Sequence, residues 1–461
     1  MATQRLNKVL LFPWIAKGHV TPYLELAKKL AKRNVQVYLC SSPIILESIS
    51  EILAKHHPHI SPSIHLLELH LPSSPELPPH HHTTTSLPPH LITVLQMAFQ
   101  ETKRVFYDII STLNPELLIY DGFQPWAASH ASSLNIPSVH LITTGAVTMS
   151  HFLHLFHVDE IKCDEFRFSP IHCHDNHEMR KFVEMCSSAN EEEVIDIGVL
   201  CFRSLHLSKS FILINTCSEI EDKYIKYLSL LTKKEVIPIG PLIRESMDGD
   251  EHEEIMEWLQ EKEESSCVLA SFGSEYYMSN KEIEEIARGL ELSDVNFIWS
   301  LKFPTGVNTS KEEAMPRGYL ERMKHKGLVV KGWVPQAKIL SDKRICGFLS
   351  HCGWNSVLES LASGVPIIAL PIHLDQPINA RLMEEIGVGV EVVKGENGEI
   401  KGEELAKALR KVVMVGKKSG ETLETSMNSK AKELSERIKL RGDKVIDGAV
   451  GKLLQLCKGK N

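Results

Sequence analysis

The residues best suited to chemistry lie between Trp333 and Gln376, where two buried strands each lead into a helix through a short polar turn. The strand RICGFLS is followed by the turn HCGWNS, and the strand VPIIALP is followed by HLDQ. Free N–H groups and the positive end of a helix dipole meet at such a turn and bind anions such as phosphate. Asn355 and Ser356 are expected to cap the first helix, and Gly364 to end it. The pattern predicts a ligand that carries phosphate.

A second candidate pair is His19 and Asp121. His19 ends the turn after the first predicted strand, and Asp121 directly follows the strand LLIY. Parallel strands present such residues at one edge of the sheet, where the carboxylate can orient the imidazole and stabilise its cation. Histidine is suited to accept a proton near neutral pH. Taken alone, without Asp121, His19 is better explained as a histidine that caps a helix.

Strands and helices alternate along the chain. In the N-terminal half, apolar runs predict strands at Lys8–Phe12, Val35–Cys40, Leu117–Tyr120, Ser138–Thr143 and Ile212–Thr216. A helix is expected between the first two, and one long helix from about Leu91 to Leu113. The second half restarts the alternation. This order predicts an α/β fold of two Rossmann-like doubly wound domains facing each other across a cleft that binds ligands.

The expected domains are residues 1–238 and 239–440, followed by a C-terminal helix within 441–461 that packs back on the N-terminal domain. The stretch from Ile237 to Glu254 is rich in Pro, Gly and acidic residues and is the expected linker between the two domains. Residues 151–207 look helical and are a candidate lid over the acceptor. The His- and Pro-rich segment from Leu71 to His90 is expected to be an exposed, irregular loop.

Composition limits the classes of function. The chain has 461 residues and a net charge of −8, with no basic cluster beside aromatic residues, which argues against nucleic-acid binding. The apolar run Val9–Phe12 is too short for a signal peptide or a membrane span. Ten scattered cysteines without a C-x-x-C pair are typical of buried thiols in a reducing compartment. A cytoplasmic, monomeric protein is expected.

The stretch from Trp333 to Gln376 resembles the signature box of plant family-1 UDP-glycosyltransferases. It opens on W-x-P-Q, passes through H-C-G-W-N-S-x-x-E and closes on D-Q at the family's spacing. The resemblance extends over essentially the whole chain. It implies the GT-B architecture, an enzyme that transfers a sugar, and a UDP-sugar as co-substrate.

The resemblance also implies the residues that bind the donor. Trp333 would stack on uracil, Val334 and Gln336 would hydrogen-bond uracil and ribose, and Glu359 would bind the ribose hydroxyls. The diphosphate would be held by residues of two strand-to-helix turns: Ser274, His351, Gly353, Asn355 and Ser356. The hexose would be bound by Trp354, Asp375 and Gln376. Without the box, a Trp at a strand end is more often core and a Glu on a helix more often solvated.

In the family, a Trp at position 354 and a closing Gln at position 376 accompany UDP-glucose, and UDP-rhamnose is the alternative donor. The family has its catalytic His and partner Asp at the positions of His19 and Asp121, which implies an inverting transfer with His19 as general base. No metal or cofactor is expected, because helix N-termini and His351 would neutralise the leaving diphosphate. The histidines at 80–82 lack a carboxylate or Cys partner at the spacing of a zinc site, and those at 172–177 lie in the variable helical region, so neither group is expected to bind a metal.

Three segments, FPWIAKGH, YDGFQPWA and SFGSEYY, resemble the branch-forming subgroup that extends a sugar already attached to a small molecule. Acceptor candidates are Trp14, for which a core role is as plausible, Phe123, Thr143 and Glu275. The expected reaction adds a β-glucosyl unit to a glucoside of a terpenoid, flavonoid or apocarotenoid, with a 1→6 link favoured over 1→2. The alternatives are glucosylation of an aglycone and a non-catalytic UDP-sugar binder.

Overall fold

The structure, a computed structural model, describes residues 7–156, 197–244, 252–303, 309–414 and 426–458. The chain divides into two compact units. The N-terminal unit holds the described residues up to Arg244 together with those from Arg441 onward, and the C-terminal unit holds the described residues between them. This division falls a few residues after the boundary expected at 238.

Within the described residues, the N-terminal unit is built on one parallel sheet with the strand order β3-β2-β1-β4-β5-β6-β7. Most of its strands are almost wholly apolar and buried, which a parallel sheet covered by helices on both faces requires. The strands are β1 (Lys8–Phe12), β2 (Gln36–Ser41), β3 (Ile64–Glu68), β4 (Leu117–Tyr120), β5 (Ser138–Ile142), β6 (Phe211–Ile214) and β7 (Glu235–Pro238).

The helices of this unit, among the described residues, alternate with the strands. They are α1 (Lys17–Ala31), α2 (Pro43–His56), α3 (Ile92–Glu101), α4 (Lys103–Leu113), α5 (Pro125–Ser133), α6 (Ala146–Phe156), α7 (Ile197–Leu207) and α8 (Ser218–Thr232). The single long helix expected to Leu113 is wrong, because the chain breaks it at Thr102. There the Thr102 hydroxyl donates to the Phe99 carbonyl oxygen at 2.6 Å, a local bond that competes with helix continuation.

The loop expected to be exposed is partly buried, which corrects the prediction for Leu71–His90. Leu77 and Leu87 pack in an apolar cluster against the sheet. His82 is buried as well, and its carbonyl oxygen accepts a 2.6 Å hydrogen bond from the hydroxyl of Ser42. The leucines in this segment gain free energy by leaving water, and they hold the polar residues between them against the unit.

The C-terminal unit has, within the described residues, a second parallel sheet with the order β10-β9-β8-β11-β12-β13. Its strands are β8 (Cys267–Ser271), β9 (Asn296–Leu301), β10 (Gly327–Lys331), β11 (Ile345–Ser350), β12 (Ile367–Ala369) and β13 (Gly389–Glu391). The two parallel sheets with alternating helices confirm the predicted α/β class with two Rossmann-like domains.

The helices of this unit, again among the described residues, are α9 (Glu253–Gln260), α10 (Asn280–Ser293), α11 (Lys311–Ala314), α12 (Tyr319–Met323), α13 (Gln336–Leu340), α14 (Trp354–Ser363), α15 (Gln376–Glu385), α16 (Gly402–Met414) and α17 (Met427–Arg441). Helix α14 differs from expectation at its start. Gly353 is the N-cap, so Asn355 and Ser356 lie inside the first turn and do not cap it. The helix ends, as predicted, at Gly364, whose φ is +72°.

The last helix, α18 (Lys444–Lys458), belongs to the N-terminal unit. Ile446, Leu453 and Cys457 lie in one apolar cluster with Val37 of β2 and Leu26 of α1. Helix α18 therefore completes the apolar core that contains β2 and α1. Among the described residues, no helix is long and apolar enough to cross a membrane. No disulfide joins the cysteines of the described residues.

Candidate active site

In each sheet the strand order reverses at one point, and the predicted site residues follow the two strands that flank that point. In the N-terminal unit the order reverses between β1 and β4, which lead to His19 and Asp121. In the C-terminal unit it reverses between β8 and β11, which lead to Ser274 and His351. Ligands of doubly wound sheets bind beyond the carboxyl ends of strands at such a switch point. Each unit thus places its candidate residues where its topology favours a ligand.

His19 and Asp121 are brought into direct contact. The Nδ1 atom of His19 lies 2.7 Å from Oδ2 of Asp121, and Thr143 Oγ1 lies 3.1 Å from the same nitrogen. The Asp121 side chain is 2% exposed and that of His19 is 26% exposed. A carboxylate can only accept a hydrogen bond, so Nδ1 carries the proton and Nε2 is the basic nitrogen. The pair can accept a proton from a hydroxyl and stabilise the resulting imidazolium.

Two aromatic rings lie next to this pair, but they are not equally accessible. Phe123 contacts the His19 ring edge-on, with centroids 5.5 Å apart, and is half-buried. Trp14 stacks on Phe123 at 5.0 Å and meets Phe99 edge-on, and it is only 4% exposed. Trp14 therefore packs in the apolar core of this unit. Phe123 is the more accessible of the two rings.

His351 lies at the turn between β11 and α14, enclosed by two glycines. A Cβ atom added to Gly273 would lie 2.5 Å from His351 Nε2, and one added to Gly353 would lie 2.6 Å from it. The other ring nitrogen, Nδ1, is buried and makes no hydrogen bond with any described residue. Burial, with smaller contributions from the nearby His373 and Lys302, lowers the pKa of His351 to about 3. The ring is therefore neutral near pH 7 and can donate a hydrogen bond to an anion without adding charge.

The residues expected to bind the nucleoside lie together at the start of α13 and on α14. Gln336 donates from Nε2 to Glu359 Oε2 at 2.6 Å and to Ser356 Oγ at 3.3 Å. The side chain of Trp333 is 37% exposed and meets the His252 ring at 5.6 Å. Val334 is buried, and its carbonyl oxygen accepts from the Gln336 backbone N–H. The arrangement offers an exposed indole at Trp333 and a Glu359 carboxylate that is oriented by Gln336.

The residues expected to bind the hexose differ in how far they are exposed to solvent. Asp375 is half-buried, and Asn379 Nδ2 donates to its Oδ2 at 3.0 Å. Gln376 is 4% exposed, and its Oε1 accepts from the backbone N–H groups of Ile372 and His373 at 2.9 and 3.1 Å. The Gln376 amide thus fixes the turn that presents Asp375. Trp354 is buried as the first residue of α14.

Ser274 and Glu275 follow β8. Ser274 is half-buried after Gly273, whose φ is +80°, and Glu275 is exposed. No group of His, Cys, Asp and Glu side chains in the described part of the chain is arranged to hold a metal ion. This includes the histidines at 80–82, whereas those at 172–177 lie outside the described residues.

Three polar residues at these sites are missing from the sequence-based prediction. Asn379 donates to the Cys352 carbonyl oxygen at 2.9 Å as well as to Asp375, and so joins the two turns of the donor side. Glu221 caps the helix that follows Thr143, and Lys302 donates to the Gly273 carbonyl oxygen at 2.7 Å. Only Asn379 leaves a signal in the sequence, because it lies one helical turn after Asp375.

Comparison with known proteins identifies the family to which the chain belongs. Residues 7–244 match the family described as glycosyltransferase, N-terminal domain, and residues 239–423 match UDP-glucoronosyl and UDP-glucosyl transferase. The chain is 47% identical to a mogroside IIIx synthase of Siraitia grosvenorii, over 98% of each chain. It is 41% identical to the beta-D-glucosyl crocetin beta-1,6-glucosyltransferase of Gardenia jasminoides, over 97% of this chain and 98% of the other.

The fold is also that of solved glycosyltransferases. The structure of Phytolacca americana UGT2, complexed with UDP-2fluoro-glucose and pterostilbene, matches with a TM-score of 0.75 at 25% identity, over 97% of this chain and 99% of that one. The predicted GT-B architecture is confirmed by this likeness. Since both halves match family patterns and the relatives cover nearly the whole chain, the protein is a UDP-glycosyltransferase that belongs to the UDP-glucuronosyl and UDP-glucosyl transferase family.

Proposed function

We propose that the protein is an inverting glucosyltransferase that transfers glucose from UDP-glucose to a sugar hydroxyl of a specialised-metabolite glycoside. The contact between His19 Nδ1 and Asp121 Oδ2 at 2.7 Å is the observation that carries the mechanism. It fixes Nε2 as the base and provides a buried negative charge for the imidazolium. Without such a base, the chain would bind a UDP-sugar and leave it intact.

In the proposed reaction, Nε2 of His19 takes the proton of the acceptor hydroxyl while the oxygen attacks the anomeric carbon. The bond from that carbon to the diphosphate oxygen breaks, and the configuration inverts from α to β. The leaving UDP is stabilised by the N–H groups at the start of α14 and by the hydrogen bond that neutral His351 can donate. No metal ion takes part in this proposal, so chelation with EDTA is expected to leave the rate unchanged.

The proposed donor is UDP-glucose, and the support comes from Trp354 and from the Asp375–Gln376 pair. Gln376 holds the turn through three hydrogen bonds, so the Asp375 carboxylate is presented from a fixed backbone. Such a carboxylate can accept hydrogen bonds from two neighbouring hydroxyls of a hexose. UDP-rhamnose remains the alternative donor, and direct competition between the two sugars decides it.

A glycoside acceptor is supported by the names of two relatives, one a mogroside synthase and the other acting on a glucosyl crocetin. The second is named as a beta-1,6-glucosyltransferase, which accords with the proposed 1→6 link. In this chain, Phe123 offers a half-buried ring beside His19, and apolar CH faces of sugars pack on such rings. We propose that the acceptor sugar lies against Phe123.

The test is to incubate the purified protein with UDP-glucose or UDP-rhamnose and matched pairs of aglycones and monoglucosides, followed by mass spectrometry. A gain of one hexose only on the monoglucosides supports the proposal, and NMR then assigns the linkage. A gain on the aglycones would replace it with a first-step glucosyltransferase. A gain of deoxyhexose from UDP-rhamnose alone would replace the donor.

A further inference from the structure

The predicted donor site has an unbalanced charge. A UDP-sugar carries two negative charges on its diphosphate, and the leaving UDP gains another as the bond breaks. The residues expected around it include the acidic Glu359 and Asp375 but neither lysine nor arginine. Because burial keeps His351 neutral, this histidine does not compensate the charge. The partial charge at the start of α14 is about half a unit. A cation close to this turn would compensate the charge that these groups leave.

The end of β9 lies between the two loops that lead to Ser274 and Trp333. Ser300 donates from its hydroxyl to the Gly332 carbonyl oxygen at 2.7 Å, directly before Trp333. Lys302, two residues further on, donates from Nζ to the Gly273 carbonyl oxygen at 2.7 Å, directly before Ser274. The end of β9 therefore contacts both loops. The Ser300 hydroxyl holds the loop that leads to Trp333, and the Lys302 ammonium group holds the loop that leads to Ser274.

Lys302 also lies close to the buried histidine of the phosphate turn. Its partner Gly273 packs so closely on the His351 ring that no side chain fits between them. The Lys302 charge is felt by His351, since it contributes to the low pKa of that ring. A small cavity at the end of β9 is lined by Gly273, Ser300 and Lys302 together with Tyr276. The ammonium group thus lies at the rim of the turn that the diphosphate would occupy.

We propose that the Lys302 ammonium group faces the diphosphate of the bound UDP-sugar and compensates the charge that develops on the leaving UDP. The inference rests on the proposed function, since it concerns the same donor site. An ammonium group has three donors, so the bond from Lys302 to the Gly273 carbonyl oxygen does not exclude one to a phosphate oxygen. Its role is distinct from that of Ser300, which can only position a loop.

The test compares three ligands by calorimetry: UDP-glucose, UDP and uridine. Lys302→Met is expected to weaken binding of UDP-glucose and UDP by about ten- to a hundredfold and to leave uridine binding unchanged, because charged hydrogen bonds are lost only for the phosphates. Lys302→Arg should retain most of the affinity. Added salt should weaken UDP binding more in the unmodified protein than in Lys302→Met.

Two variants serve as controls. Ser300→Ala removes the clamp on the Trp333 loop and should weaken uridine and UDP alike. Lys331→Met removes an exposed lysine on neighbouring β10, whose Nζ lies 5.7 Å from the Phe303 ring, and should change neither. If Lys302→Met weakened uridine and UDP binding equally, Lys302 would only position the loop before Ser274. If UDP binding were unchanged, Lys302 would not contact the diphosphate. Failure of the unmodified protein to bind UDP-glucose would instead refute the proposed function.

Discussion

Among the single residues, His19 has the role that depends most on its partner. Asp121 fixes the proton on Nδ1, so replacing either residue should affect transfer without removing the donor site. We expect His19→Ala to lower kcat by about 10²- to 10⁴-fold, because a general base contributes that much. UDP binding, measured by calorimetry, should persist. Asp121→Asn should also slow transfer, since the amide can donate to Nδ1 and place the proton on Nε2. Undiminished turnover by His19→Ala would exclude it as the base.

Glu359 is the residue on which nucleoside binding should depend. Its Oε2 accepts from Gln336 at 2.6 Å, which leaves the carboxylate oriented for a pair of ribose hydroxyls. Glu359→Ala should weaken both UDP and uridine by about tenfold or more, since charged hydrogen bonds contribute about 1.5–3 kcal/mol. The exposed Glu264, which pairs with Lys343 on the surface of the same unit, gives a matched Glu→Ala control. Calorimetry that finds equal affinities for the two variants would refute the ribose role.

The neutral state of His351 predicts how donor binding responds to pH. With its pKa near 3, the ring should stay neutral, and the affinity for UDP-glucose should be constant within about twofold between about pH 6 and 8. If His351 were charged instead, affinity would rise as pH falls through its usual pKa of about 6.5. His373 also faces this ring, so the titration should be repeated in His373→Asn. The lowered pKa has a second consequence: stability should fall as pH drops from about 6.5 towards 3, because only the unfolded chain binds the proton there.

Among the helices, α6 is positioned by a buried charge. Glu221 is fully buried, and its carboxylate accepts from the backbone N–H groups of Ala146 and Val147 at 2.9 and 2.8 Å. The loop that it anchors begins at Thr143, which contacts His19. Glu221→Ala should lower stability by about 1–3 kcal/mol for each N–H left unpaired. It should also lower kcat more than UDP affinity.

Asp222→Ala is the matched control for Glu221, because Asp222 is the next residue and pairs with Lys226 at the surface. Exposed pairs contribute about 0–1 kcal/mol, so its melting temperature should barely change. Glu221→Gln retains one acceptor and should fall between the two. Equal melting temperatures for Glu221→Ala and Asp222→Ala would show that the buried carboxylate does not anchor α6.

The strands and helices show how much of this fold can be predicted from the sequence. Strands β1 and β4 have the bounds expected from their apolar runs, because a buried parallel strand needs little more than continuous apolar residues between turns. The break at Thr102 and the cap at Gly353 were missed, since both depend on local hydrogen bonds that neighbouring residues could also make. The burial of Trp14 depends on Phe99 and Phe123, which are distant in sequence. The bonds from Gln376 to Ile372 and His373 are local, but they depend on a turn conformation that the residue types alone do not specify.

For the molecule as a whole, the first strand and the last helix of the described residues share one core. Helix α18 buries Ile446, Leu453 and Cys457 in the N-terminal unit. It is also tied to α1 by ion pairs from Lys29 and Arg33, whose partners on α18 and just before it are more than half exposed. Surface pairs contribute about 0–1 kcal/mol each, whereas a buried leucine cut to alanine costs about 2–5 kcal/mol. The apolar contact should therefore dominate.

The dominance of the apolar contact can be tested by substitutions at three positions of α18. Leu453→Ala should lower the free energy of unfolding of the N-terminal unit by about 2–5 kcal/mol and speed hydrogen exchange in α1 and β2 of the full-length protein. Asp447→Ala, which breaks the pair with Arg33, should cost less than about 1 kcal/mol. Gln455→Ala, at an exposed position of the same helix, should have no effect. A larger loss for Asp447→Ala than for Leu453→Ala would mean that charge, rather than apolar burial, holds the last helix in place.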